Sequence, residues 1–130
     1  MEFLDISGGK IASRKAVYTQ FPEYVENKDG INYNLLPESY RGIRVCTTER
    51  YVYAVLCGQW KYPQTYKGYP GDYMDEIEVY DWDGNFIKKY QTSIPFNAMA
   101  ISDDDRTLYT LSVDLDTMEP QIVRYDLISD

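Results

Sequence analysis

The sequence predicts an all-β fold, and three observations support this: strand-like periodicity, turn signals and an internal repeat. Short segments rich in β-branched and aromatic residues, such as 51–57, 76–81 and 107–113, are bounded by turn-forming residues. No segment has the apolar spacing of an amphipathic helix. Domains usually have about 100–200 residues, so we expect the chain of 130 residues to be one domain or part of one.

An internal repeat indicates the architecture. Residues 43–56 align without gaps to residues 99–112 at an offset of 56, and residues 76–82 align to residues 121–127 at an offset of 45. A period near 40–45 residues that holds about four short strands is typical of a β-propeller blade. The first repeat carries 11 further residues in one connecting loop.

The repeat assigns most strands, which we letter A to D outward from the propeller channel. The predicted strands are A at 43–47 and 98–102, B at 51–57 and 107–113, C at 76–81 and 121–126, and D at 86–93. The opening residues 3–8 look like a further, decayed strand C, followed by a strand D at 11–19.

The predicted fold is therefore an incomplete propeller of about two four-stranded antiparallel blades plus a partial one. Residues 1–20 supply strands C and D of a preceding blade, residues 43–93 a full blade, and residues 98–127 a final blade that lacks strand D. Propellers usually have four to eight blades, so three explanations are open. The chain is the C-terminal part of a longer propeller, or it self-associates through open sheet edges, or its first hairpin completes the final blade of another chain by strand exchange.

Two short acidic segments predict tight turns. Asp83-Gly84 lies between two strand segments and indicates a hairpin turn with positive φ at both central residues. Residues 103–105, all aspartate, precede strand B of the last blade and predict a second turn. Residues 81–85 resemble a calcium loop only superficially, because the glycine comes too early for that motif. We therefore predict no metal site.

Composition and charge exclude several function classes. The absence of histidine excludes His-based triads, His–metal sites and imidazole acid–base chemistry. The net charge of −8 has the wrong sign for a nucleic-acid partner. No nucleotide or cofactor motif occurs, and we predict no cofactor. The first five residues carry no signal-peptide features, and no segment is long and apolar enough for a membrane span.

Three segments together resemble a known family. Residues 80–85, 100–109 and 122–127 are similar to the C-terminal blades of TolB-like six-bladed β-propellers, and the resemblance covers roughly residues 35–130. It implies the propeller fold and a periplasmic or cell-surface location, although this chain shows neither an export signal nor a full ring. The family offers no catalytic residues to carry over.

The 58–73 segment, which we call the aromatic loop, contains the candidate binding residues. Planar aromatic side chains on a loop can stack on sugar rings and donate hydrogen bonds. The alternative is that the loop buries its aromatic side chains against its own blade. The candidates are Trp60, Tyr62, Tyr66, Tyr69 and Tyr73.

Carboxylates at the end of this loop suggest a second function. Asp72, Asp75, Glu76 and Glu78 could serve acid–base chemistry if two of them converged. We expect them instead to form a solvated acidic edge, and we predict no catalytic residue.

Other residues receive structural interpretations. Arg50 and Arg106 occupy equivalent repeat positions, and we expect Arg50 to pair with Glu49 or Asp105. Tyr53 and Tyr109 are predicted core aromatic residues between blades.

The two cysteines, Cys46 and Cys57, fall on adjacent predicted strands. Their spacing fits no metal or redox motif. We expect two buried free thiols, with one disulfide as the alternative.

The sequence thus predicts a non-catalytic binding or interaction module whose ligand is a carbohydrate or a protein. One alternative is a propeller hydrolase or lyase that acts on carbohydrate through the loop carboxylates. Another is a truncated propeller with an assembly role only.

Overall fold

The computed structural model describes residues 1–16, 23–34, 40–59, 65–70 and 73–128, and its regular structure in those ranges is entirely β. The described strands are β1 (Glu2–Ser7), β2 (Lys10–Ala16), β3 (Glu23–Asn27), β4 (Gly30–Asn34), β5 (Tyr40–Thr47), β6 (Tyr51–Gln59), β7 (Thr65–Tyr66), β8 (Tyr69–Pro70), β9 (Met74–Asp81), β10 (Phe86–Phe96), β11 (Ala98–Ile101), β12 (Thr107–Val113) and β13 (Pro120–Asp126). The all-β prediction is confirmed. Within the described ranges no helix could cross a membrane.

Strands β5, β6, β9 and β10 form a four-stranded antiparallel sheet in the order β10-β9-β6-β5. Apolar and acidic residues alternate in the middle of β9, where Ile77 and Val79 are fully buried. In β6, residues 52–55 are all buried, because both faces of this central strand are covered. Strand β10 extends to Phe96, three residues beyond the predicted end.

Strands β11, β12 and β13 form a three-stranded antiparallel sheet in that order. Residues along β12 alternate strictly between the two faces: Leu108, Thr110 and Ser112 are buried, whereas Tyr109 and Leu111 are exposed. This alternation is typical of a sheet with one covered face and one open face.

Three separate hairpins complete the described fold: β1–β2, β3–β4 and β7–β8. The β1–β2 hairpin corresponds to the strands predicted at 3–8 and 11–19, with an irregularity in register between Phe3 and Leu4; residues 17–19 of the second prediction lie outside the described residues. The β3–β4 hairpin was not predicted, although its Asp29-Gly30 pair is a common hairpin-turn dipeptide.

Two apolar clusters hold these elements together. The larger lies between the two main sheets, where Tyr53, Ile77 and Phe96 of the four-stranded sheet pack with Leu108 of the three-stranded one. The smaller lies on the opposite face of the four-stranded sheet, where Phe3 of the β1–β2 hairpin packs against three of its side chains: Val52, Ala54 and Tyr80. The chain is thus layered as hairpin, four-stranded sheet and three-stranded sheet.

The turn at Asp83-Gly84 is a hairpin turn, but it differs from the predicted type. Only Gly84 has positive φ, at 79°. The Gly84 amide donates to the Asp81 carbonyl (3.0 Å), and the Asp81 amide donates to the Asn85 carbonyl (3.0 Å). This is a four-residue turn followed by a glycine bulge, which also matches the twist of the flanking strands.

The cysteine pair is not bonded. Cys46 is a free, half-buried thiol. Cys57 of β6 pairs with Gly42 of β5, and Gly42 is four residues before Cys46 on that strand. At about 3.3 Å per residue this offset is about 13 Å, beyond the roughly 7 Å between Cα atoms that a disulfide allows.

Candidate functional site

The aromatic loop connects β6 to β9, two neighbouring central strands of the four-stranded sheet. Trp60 and Tyr62 lie outside the described residues. Tyr66 ends β7, where its backbone pairs with Tyr69 of β8. The described part of the loop is therefore a small hairpin, followed by Tyr73 at the start of β9.

A two-residue turn shapes this hairpin. Lys67 and Gly68, the central residues, both have positive φ, at 50° and 85°. Positive φ at both positions is the geometry of a type I′ turn, which suits the right-handed twist of paired strands. The conformation predicted for Asp83-Gly84 thus occurs here, where the sequence is Lys-Gly.

Two of the five predicted aromatic residues contact each other. The rings of Tyr69 and Tyr73 stack with centroids 5.7 Å apart and planes inclined by 24°. Tyr73 is buried, with 6% of its surface exposed, and Tyr69 is half-buried. The stack therefore ties the hairpin to the beginning of β9 and leaves part of Tyr69 accessible.

An ion pair anchors the tip of the hairpin. Lys67 Nζ lies 2.5 Å from Oδ2 of Asp75, whose side chain is only 2% exposed. The Thr92 hydroxyl donates to the Asp75 carbonyl at 3.4 Å. A buried carboxylate needs such a cation, because the uncompensated charge would be costly to desolvate. A Cβ at Gly68 would lie 3.5 Å from Cδ1 of Leu115, so the tip also approaches the β12–β13 turn.

The other described acidic residues at this end of the loop pair with side chains of the same sheet. Glu76 lies 3.3 Å from Lys89 Nζ, and the Tyr80 hydroxyl donates to Glu78. Asp72 lies outside the described residues. Lys89 Nζ also lies 4.0 Å from Glu78, so the two glutamates share one lysine, whereas Asp75 pairs with Lys67.

Asp105 joins the two main sheets. Its carboxylate accepts hydrogen bonds from Thr48 Oγ1 (2.7 Å), the Tyr53 hydroxyl (2.8 Å) and Arg50 Nε (2.9 Å). The Arg50 guanidinium also donates to the Asp104 carbonyl at 3.0 Å. Of the two partners predicted for Arg50, the structure has Asp105.

The backbone at Asp105 has a positive φ of 60°, a conformation that costs most side chains about 1–2 kcal/mol. Aspartate tolerates it better than most residues. The turn is closed by the Asp105 amide, which donates to the Ser102 carbonyl at 2.9 Å. The sequence predicted this turn, but it did not predict that one aspartate would serve both the turn and the junction.

The two repeat tyrosines have different environments. Tyr53 is 1% exposed and lies between the sheets, as predicted. Burial, together with the hydrogen bond to Asp105, raises the pKa of its hydroxyl far above the usual value. Tyr109 was predicted to be a core residue, and this is wrong: 43% of its surface is exposed, because nothing described covers that face of the three-stranded sheet.

The calcium-like segment is a turn stabilised by its own aspartate. The Asp81 carboxylate accepts hydrogen bonds from the amides of Asp83 (2.9 Å) and Asn85 (2.8 Å) and from the Asn85 side chain (2.9 Å). These bonds favour the ionised form and lower the pKa of Asp81. Within the described ranges, no three acidic or cysteine side chains are grouped so that they could hold a metal ion.

Comparisons with known proteins give one match. A family model described as TolB-like 6-blade propeller-like matches residues 1–104. No curated protein and no solved structure shows significant similarity to the chain. The matched segment covers the β1–β2 hairpin, the four-stranded sheet and the first strand of the three-stranded sheet. The chain therefore belongs to the TolB-like six-blade propeller-like family.

Proposed function

We propose that the chain is a non-catalytic propeller module that binds a carbohydrate or a protein through the aromatic loop. In this proposal residues 43–93 form a full blade, residues 1–20 and 98–127 belong to the neighbouring blades, and the loop projects from the full blade. The observation that carries the proposal is the anchored hairpin β7–β8, which holds Tyr69 half-accessible on a rigid support.

Rigid support favours binding because less conformational entropy is lost when a ligand docks on an ordered loop. The ion pair between Lys67 and the buried Asp75, together with the Tyr69–Tyr73 stack, fixes the hairpin against β9. A half-exposed tyrosine suits a sugar, because its ring can pack on the apolar face of the sugar and its hydroxyl can form hydrogen bonds with the hydroxylated rim.

The carboxylate contacts favour binding over hydrolysis. A glycosidase needs two carboxyl groups about 5–9 Å apart across a substrate cleft. Asp75 is buried against Lys67, and Glu76 pairs with Lys89 across the sheet surface. These contacts support structural roles for both side chains.

Intrinsic fluorescence tests the proposal. The chain has two tryptophans, Trp60 and Trp82, so a Trp82→Phe background leaves Trp60 as the one tryptophan reporter. Cello-, xylo- and malto-oligosaccharides and released mucin glycans are the probes. We expect a saturable change in Trp60 emission with at least one probe, and a loss of at least tenfold in affinity on Tyr69→Ala.

Two results would count against this function. If no probe gives a saturable response, the carbohydrate version is wrong; a protein ligand is then tested by photo-crosslinking from position 66. If a glycan is cleaved and Asp75→Asn abolishes the cleavage, the chain is an enzyme instead. The Trp82→Phe chain without further change is the matched control in each titration.

A further inference from the structure

Equivalent repeat positions differ in whether a neighbouring layer covers them. Val52 and Leu108, one offset of 56 apart, are both buried, against the β1–β2 hairpin and the four-stranded sheet respectively. Tyr53 is buried against the three-stranded sheet, whereas its equivalent Tyr109 is 43% exposed. Each layer thus covers one face of the next, and the last layer has one face left over.

We call this uncovered surface the open face of the three-stranded sheet. Register places Ala98 opposite Leu111, Ala100 opposite Tyr109, and Leu111 opposite Ile122, so their side chains share one side. A shallow groove of about 240 Å³ runs over it. The groove is apolar, and Ile122 within it is 75% exposed.

A second uncovered apolar surface lies at the other end of the layered order, on the β1–β2 hairpin. Phe3 points to the four-stranded sheet, and the alternate side chains point away from it. We call this side the outer face of the hairpin. It contains three apolar side chains, of which Leu4 is 49%, Ile11 68% and Ile6 74% exposed.

The two uncovered surfaces have complementary directions. When residues 3–8 are aligned to residues 79–84, Phe3 corresponds to Val79 and Leu4 corresponds to Tyr80. Val79 faces the following layer, and Tyr80 faces the preceding hairpin. The outer face of the hairpin bears Leu4 and is therefore equivalent to the face of the four-stranded sheet that contacts the preceding layer. The open face is the kind that a following layer covers.

The contacts that already join successive layers indicate how a second copy would bind. Phe3 of the hairpin packs on Val52 and Ala54, and Leu108 of the three-stranded sheet packs with Phe96. These contacts are apolar, and the two uncovered surfaces are apolar as well. A second copy can therefore repeat the kind of contact that joins the layers within one chain.

We propose that the open face of the three-stranded sheet binds the outer face of the β1–β2 hairpin of a second copy of this chain. The contact is head-to-tail, so every copy offers one surface of each kind. Association of this type closes into a ring when the rotation between copies allows it and otherwise continues as a chain. The aromatic loop takes no part in this contact, so the inference does not depend on the proposed function.

Light scattering on a sizing column measures the association. We expect the full chain to exceed its 15.2 kDa monomer mass in a concentration-dependent way. Ile122→Glu on the open face and Ile6→Glu on the outer face should each return the mass to that of a monomer. Both residues are about three-quarters exposed, so a folded monomer tolerates either change, as circular dichroism will verify.

Mixing the two variants gives the decisive result. An Ile122→Glu chain keeps an intact outer face, and an Ile6→Glu chain keeps an intact open face. An equimolar mixture should therefore form a heterodimer of twice the monomer mass and nothing larger. Ile128→Glu is the control, because Ile128 is 78% exposed and lies beyond β13, outside both surfaces; it should associate like the unchanged chain.

Three outcomes would overturn the inference. The unchanged chain stays monomeric up to millimolar concentration; its oligomer survives both glutamate substitutions; or the two monomeric variants do not combine on mixing. A self-complementary contact through one surface would leave one of the two variants oligomeric, which would also contradict the head-to-tail contact.

Discussion

Replacing Asp105 with alanine should destabilise the chain by about 3–6 kcal/mol. The carboxylate is 6% exposed and accepts hydrogen bonds from Thr48, Arg50 and Tyr53 of the other main sheet. Alanine offers no acceptor to these three donors. The substitution therefore removes the polar contact that fixes the two sheets relative to each other.

The magnitude follows from the burial of each donor. The Tyr53 and Thr48 hydroxyls belong to buried residues, and each buried donor left without an acceptor costs about 1–2 kcal/mol. The Arg50 side chain is 62% exposed, so its share is below about 1 kcal/mol. Alanine at a φ of 60° adds about 1 kcal/mol more than a residue that tolerates this conformation.

Matched variants separate these contributions. Asp105→Gly removes the acceptor and relieves the backbone, so it should cost less than alanine by about 1 kcal/mol. Asp105→Asn keeps one acceptor oxygen and a residue type that tolerates positive φ, so it should cost least. Asp103→Ala changes an exposed aspartate of the same turn and should stay within about 0.5 kcal/mol.

Urea denaturation is the assay, with the midpoint compared at constant slope. For slopes of about 1–3 kcal/mol per molar urea, a loss of about 4 kcal/mol lowers the midpoint by about 1.3–4 M. A double-mutant cycle with Tyr53→Phe should give a coupling of at least about 1 kcal/mol. The reasoning is refuted if Asp105→Ala costs no more than Asp103→Ala, or if its effect adds to that of Tyr53→Phe.

Three further predictions concern a glycine, a thiol and a carboxylate. Gly84→Ala should cost about 1 kcal/mol more of the free energy of unfolding than Gly8→Ala. Both glycines have positive φ, but a Cβ at Gly84 would lie 3.0 Å from a Phe3 ring carbon, whereas nothing lies within 4 Å of a Cβ at Gly8. Urea midpoints measure the difference. Burial raises the pKa of Cys46 to about 11, so in a Cys57→Ser chain its thiolate fraction at pH 8, and its rate of reaction with iodoacetamide, should be roughly a hundredfold lower than for an ordinary thiol. Amide hydrogen bonds lower the pKa of Asp114 in the folded chain. The ionised carboxylate therefore stabilises the fold fully above the unfolded pKa near 4, and this stabilisation is lost as the pH falls through the lower folded pKa. Asp114→Asn should make the melting temperature less dependent on pH in the acid range.

Each of these predictions has an outcome that contradicts it. If both glycine substitutions lower the free energy of unfolding equally, the contact between Gly84 and the β1–β2 hairpin is not tightly packed. Alkylation of Cys46 at the rate of a fully exposed cysteine would show that its thiol is accessible and ionises normally. An acid limb that is unchanged in Asp114→Asn would mean that other carboxylates dominate it.

Sequence periodicity predicted the strands of both main sheets because each has turn residues at its ends and apolar residues at alternate positions. Strand β12 is the clearest case, with Leu108 and Thr110 buried and Tyr109 exposed. The β3–β4 hairpin was not predicted because its strands carry few apolar residues and align to no repeat; these strands are Glu23–Asn27 and Gly30–Asn34.

Tyr109 shows why repeat alignment alone misplaces side chains. Its equivalence to Tyr53 predicts the strand and the face correctly, but burial depends on the following layer. Local sequence carries no information about that layer. The candidate site has the same limit: spacing predicts that aromatic residues share a loop, but the Tyr69–Tyr73 stack and the Lys67–Asp75 pair depend on how the hairpin folds back on β9.

The order of the strands has a consequence for folding kinetics. In both main sheets each strand pairs with the one before it in the sheet's own chain order, whereas the contacts of Asp105 with Arg50 and Tyr53 span 55 and 52 residues. Contacts that are close in sequence form early, because their loop-closure entropy is small. We therefore expect each sheet to assemble before the two dock, with Asp105 making its contacts after the rate-limiting step. Its hydrogen bonds then lengthen the lifetime of the folded chain and leave the speed of folding nearly unchanged.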